Sequence, residues 1–106
     1  MLTHITPIEL KRLLDSGHEV VVLDVREPEE LQLACLPSVV HIPMGEIPGR
    51  LHELDPEKDI VVVCHHGIRS ASVAQFLAQR DFERVANLDG GIDAWSLSVD
   101  PIVPRY

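Results

Sequence analysis

The sequence predicts an α/β fold: a mostly parallel sheet of about five strands, with helices on both faces. Two observations point to it. The short, near-continuous apolar runs Val20-Val21-Val22-Leu23 and Ile60-Val61-Val62-Val63 have the pattern of strands buried on both faces. Helical stretches separate such runs along the whole chain, and this alternation is that of a helix-covered parallel sheet. No repeat, low-complexity tract or linker interrupts it. At 106 residues the chain reads as one domain over 1–106, large enough for a hydrophobic core.

Each element has a local cause. Thr6-Pro7-Ile8-Glu9 is a helix start, with Thr6 as N-cap, Pro7 at the first helical position and Glu9 placed to close a capping box. Leu10, Leu13 and Leu14 form its apolar stripe, and Ser16-Gly17 ends it. Val20 to Leu23 is the first strand, ending at Asp24. Glu27 to Leu33 follows as a short acidic helix, with Pro28 tolerated in its first turn. Val39 to Ile42 is a strand stopped by Pro43. Glu46 to Leu54 is expected to be a modest helix, weakened by Pro48 and Gly49. Ile60 to Val63 is the clearest strand and Ser70 to Arg80 the clearest helix, with Val73, Ala74, Leu77 and Ala78 inward. Val85 to Leu88 is the last strand and Gly91 to Leu97 the last helix. From Ser98 the tail carries two prolines and reads as irregular.

Composition narrows the partners. With 45% hydrophobic and 25% charged residues, the chain has the make-up of a soluble globular protein. Its net charge of −8 argues against nucleic acid and against anionic membranes. No apolar stretch is long enough to span a bilayer, and the N-terminus has no leader pattern. Two cysteines, Cys35 and Cys64, are read as reduced thiols, and a cytoplasmic location is expected.

The chemistry concentrates in Cys64-His65-His66-Gly67-Ile68-Arg69-Ser70. The cysteine sits at the carboxyl end of a buried strand, in a loop opening onto a helix N-terminus. In open α/β sheets the ligand crevice lies outside those strand ends. Asp24 with Arg26, and Asp89 with Gly90-Gly91, fall there as well. Backbone N–H groups and the helix dipole favour negative charge at the sulfur, so a thiolate nucleophile is expected. Gly67 lets the loop turn tightly, and Arg69 is expected to reach back over an anion held in the curl. A substrate anion is repelled at long range by the net charge, so these local donors must attract it.

Three segments in order resemble the rhodanese family of single-domain sulfurtransferases: Leu23-Asp24-Val25-Arg26-Glu27-Pro28-Glu29-Glu30, the Cys64 loop, and Asn87-Leu88-Asp89-Gly90-Gly91-Ile92-Asp93-Ala94-Trp95. The resemblance covers nearly the whole chain. Ala34-Cys35-Leu36 and Leu31 depart from the family pattern, which usually has Gly-His and an aromatic residue there. The resemblance implies transfer of a sulfane sulfur, from thiosulfate or another donor, through a Cys64 persulfide to cyanide, a thiol or a protein acceptor. It implies no cofactor and no metal. In that reading Cys64 is the nucleophile and persulfide carrier, and the loop N–H groups from His65 through His66, Gly67 and Ile68 to Arg69 cradle the charged sulfur. Arg69 supplies a fixed cation. Asp24, Arg26 and Ser70 are supporting residues.

Other readings are compared with these. Asp24 and Arg26 are read first as a local ion pair that positions loops, and Arg69 has an alternative as a clamp on Asp24 or Glu30. His65 and His66 are placed at the pocket mouth, where partial protonation attracts anions; a metal site with Cys64 is disfavoured because adjacent residues rarely converge on one ion. Cys35 is read as a packing cysteine and Trp95 as a core anchor. A cysteine phosphatase or arsenate-type reductase uses a similar cradle with five residues between cysteine and arginine. Here His65, His66, Gly67 and Ile68 make four, a smaller cradle suited to one sulfur atom. A non-catalytic binding module on the same fold is expected to lack the cysteine.

Overall fold

The computed structural model describes residues 3–106. Five strands form one sheet: β1 (Thr3–Ile5), β2 (Val20–Asp24), β3 (Val40–His41), β4 (Asp59–Val63) and β5 (Val85–Leu88). Their order is β1-β5-β4-β2-β3, and every pairing is parallel. Four helices cover it: α1 (Pro7–Asp15), α2 (Pro28–Leu33), α3 (Ile68–Ala78) and α4 (Gly91–Ser98). The α/β class expected from the apolar runs is the one found.

Alternation along the central strands divides the core. Ile60 and Val62 of β4 join Leu23 of β2 and face Val73, Ala74 and Leu77 of α3. Val61 and Val63, with Val22 and Leu88, face Leu10 of α1 and Ile92 and Trp95 of α4. Successive strand side chains point to opposite faces, so Cys64, two residues after Val62, falls on the α3 side. The capping box of α1 is present: Thr6 Oγ1 accepts from Glu9 N–H at 3.2 Å, and Glu9 Oε1 from Thr6 N–H at 2.9 Å.

Three expectations are corrected. The segment Glu46 to Leu54 is not one α-helix but part of two tight 3₁₀ stretches, Met44–Glu46 and Pro48–Glu53, with Arg50 outside helical geometry. Pro48 instead opens the second stretch at its start, where proline is tolerated. The third strand contracts to Val40–His41. The helix expected from Ser70 begins at Ile68, so Arg69 and Ser70 lie in its first turn. The edge strand β1 is an addition; it is short and mostly exposed, and no apolar run marks it.

Candidate active site

β4 ends at Val63, and the next residue, Cys64, is only 1% exposed. The backbone at Gly67 has φ +97°, a left-handed conformation open to glycine at little cost. That turn sends the Gly67 N–H back to the Cys64 sulfur at 3.1 Å. The Ser70 hydroxyl stands 3.2 Å from the same sulfur and also donates to Asn87 Oδ1, all three groups being buried. With its one proton on Asn87, Ser70 is an acceptor for a thiol. Facing a thiolate, rotation of that proton makes it a donor. Of the loop N–H groups expected to converge on the sulfur, the one placed within hydrogen-bond distance of Sγ is that of Gly67.

α4 supports the loop from below. The Cys64 carbonyl accepts from Ile92 N–H at 2.9 Å and the His65 carbonyl from Asp93 N–H at 3.1 Å. The first turn of α4 is therefore engaged by protein backbone. This contact needs Gly91: a Cβ there would lie 2.4 Å from the Cys64 oxygen and 2.5 Å from the His65 oxygen. Asp89-Gly90-Gly91 is thus the tight connection its sequence suggests, and also the floor of the loop. Trp95 is buried as expected.

A charged network flanks the sulfur. Asp24 and Arg26 have no exposed surface, and Arg26 Nε and Nη2 hold both Asp24 oxygens at 2.7–3.1 Å. The remaining Arg26 donors reach Ala34 O at 2.8 Å, Glu30 O at 3.3 Å and Tyr106 Oη at 2.8 Å. The two form the local ion pair expected of them. Burial opposes the Arg26 charge, but its bonds to Asp24 and Tyr106 outweigh this and raise its pKa.

Arg69 does not arch over an open curl. Its Nη1 and Nη2 bind Glu30 at 2.7 and 2.8 Å, the clamp alternative. Glu30 also accepts from Glu27 N–H at 3.0 Å and Tyr106 Oη–H at 2.9 Å. Hydrogen bonds from Arg69 bring the Glu30 carboxyl down to about 2, against partial burial. Glu30 raises the Arg69 guanidinium in turn, and Cys64 lies within electrostatic reach of it.

The histidines also differ from expectation. The His65 ring is stacked between His66 at 3.9 Å and Tyr106 at 3.8 Å. Burial, with His66 charge next, lowers its pKa, which works against the protonated form expected at the pocket mouth. His65, His66 and Asp93 are, among the described residues, the cluster offering three ligand atoms within 4.8 Å of one another. Near-parallel stacked rings cannot both aim in-plane lone pairs at one ion, and Asp93 is already paired with Arg105 at 2.8 Å. The cluster does not fit a metal, and it excludes Cys64.

Cys35 is exposed rather than packed, and its thiol donates to Leu36 O at 3.1 Å. Partial burial of the sulfur and the Asp24 charge push this thiol up, away from nucleophilic character. Ile68 projects outward, 79% exposed. Asn87 and Tyr106 are the residues sequence reasoning left out. A polar residue inside the buried strand Val85–Leu88 was a usable signal for Asn87. Nothing local marks Tyr106, which meets Arg26 from 80 positions away.

Comparison with known proteins follows the same lines. The model of the rhodanese-like domain family matches residues 6–98. A sulfurtransferase of Allochromatium vinosum is 35% identical over 103 residues, covering 97% of this chain and 96% of that protein. The thiosulfate sulfurtransferase GlpE of Pseudoalteromonas translucida is 31% identical over 102 residues, with 96% of each chain covered. The crystal structure of a rhodanese-like domain protein from Staphylococcus aureus superposes with a TM-score of 0.84 at 34% identity, covering 89% of this chain and 91% of that one. No helix among the described residues is long and apolar enough to cross a membrane.

Proposed function

Since the chain belongs to the rhodanese-like family, whose model spans residues 6–98, we propose that it is a sulfurtransferase working through a persulfide on Cys64. The observation that carries this reading is the sulfur itself: buried, at the end of a central strand, with the Gly67 N–H at 3.1 Å and the Ser70 hydroxyl at 3.2 Å. Cys64 thiolate attacks the outer sulfur of a sulfane donor. With thiosulfate, the S–S bond breaks, sulfite leaves with the electron pair, and the sulfur stays as Cys64–S–S⁻. A thiolate or cyanide acceptor then takes the outer sulfur and regenerates the Cys64 thiolate. With an anionic acceptor neither half-step requires proton transfer, which suits a site where the His65 ring is stacked on Tyr106 and burial lowers its pKa.

The four residues between Cys64 and Arg69 support sulfur over phosphate. A cytoplasmic location and a protein acceptor belong to the same reading. Intact-mass measurement after incubation with thiosulfate tests it. The wild-type chain gains one sulfur atom and Cys64→Ser gains none; a gain surviving the substitution, or no gain from thiosulfate and from a thiosulfonate alike, refutes the proposal.

A further inference from the structure

Glu30 occupies both terminal nitrogens of Arg69, at 2.7 and 2.8 Å. The carboxylate is itself fixed by the Glu27 N–H and by the Tyr106 hydroxyl. Tyr106 is held in turn by Arg26 Nη1 and by its stack on His65. Every guanidinium of this network therefore has its own carboxylate: Arg26 has Asp24, Arg69 has Glu30, and the neighbouring Arg105 has Asp93. These six formal charges cancel. An incoming donor meets a thiolate, backbone N–H and hydroxyl groups, and no uncompensated cation among these residues.

A donor's own charge then matters. Thiosulfate brings two negative charges to the thiolate, whereas a thiosulfonate or an alkyl persulfide brings one. Building on the sulfurtransferase reading above, we propose that Glu30 is a specificity-determining positioning residue. By neutralising Arg69, it turns the site towards singly charged sulfane-sulfur donors and away from doubly charged ones. The transfer is the same for both classes. The Cys64 sulfur bonds to the donor's outer sulfur, the donor S–S bond breaks, and the leaving group departs with that pair as sulfite from thiosulfate or a sulfinate from a thiosulfonate. Total charge is conserved in each case.

Thiosulfate and methanethiosulfonate, similar in shape but different by one charge, make the test. The measurement is the second-order rate of persulfide formation on Cys64, read by intact mass, for the full chain and two variants. Glu30→Gln keeps the side-chain shape and removes the charge. It should raise the thiosulfate rate relative to the methanethiosulfonate rate by roughly three- to tenfold, the scale of one screened charge contact at a part-exposed site. Tyr106→Phe removes only the hydroxyl that holds Glu30, and should shift the ratio in the same direction by a smaller factor. It decides the matter if Glu30→Gln does not fold. A ratio that stays put in both variants, or falls, overturns the proposal, since a purely structural role would slow both donors alike. A wild-type chain that loads sulfur from neither donor would instead overturn the sulfurtransferase reading itself.

Discussion

Gly91 and Cys64 meet backbone to backbone, so closely that a methyl group on Gly91 would stand 2.4 Å from the Cys64 carbonyl oxygen. The Cys64 loop is thus seated on the start of α4 with no side chain between them. Gly91→Ala must displace either the loop or the helix, and its φ of +60° adds strain to any L side chain. The expected cost is roughly 2–4 kcal/mol in urea unfolding, with slower sulfur loading. Gly45→Ala is the control, because a Cβ there meets nothing within 4 Å. Equal effects at the two positions would remove the special role of the Gly91 contact.

The Asp24–Arg26 pair should behave as a buried ion pair. Arg26→Met leaves the Asp24 carboxylate without its partner at a site with no exposed surface, and should cost about 3–5 kcal/mol. Adding Asp24→Asn removes the stranded charge and should recover part of that loss. A single variant that unfolds within about 1 kcal/mol of wild type would mean that water or another cation takes over.

The Glu30–Arg69 pair sets a pH dependence. The Glu30 carboxyl sits at about 2 in the folded chain against an ordinary 4.5. A depressed carboxyl stabilises the fold above its unfolded value, and that contribution is lost as pH falls through the folded one. The stability advantage of wild type over Glu30→Gln should therefore be full near neutral pH. It should shrink by on the order of 1–2 kcal/mol on acidification to about pH 3, measured by urea titrations. An advantage that is flat or grows in acid would show that Arg69 does not hold Glu30 ionised.

The sheet was readable where burial is two-sided. Val20 to Leu23 and Ile60 to Val63 announce themselves because such central strands lie between neighbours and under helices, leaving little room for polar residues. Thr3-His4-Ile5 does not, since an exposed edge strand places no such demand on sequence. The strand-end place of Cys64, the turn at Gly67 and the buried ion pair were legible because their signals are local: an apolar run that ends, a glycine at a turn, or charges two residues apart. Arg69's partner was only one of two candidates, because choosing between Asp24 and Glu30 depends on how α2 faces α3. Tyr106 was illegible for a related reason. Its contacts with Glu30 and His65 join segments 76 and 41 positions away, and its two-proline approach has no periodicity to read.

The strand order β1-β5-β4-β2-β3 also has a consequence in time. Cys64 emerges during synthesis well before Asn87, Gly91 and Tyr106, which complete its surroundings, and the first strand must wait for β5 before it can pair. Such long-range parallel pairing is slow to form. A partly made chain therefore carries the thiol without the Gly91 floor, the Asn87 acceptor of the Ser70 hydroxyl or the stacked rings around it. The surroundings of this sulfur belong to the finished sheet and are completed late in the chain.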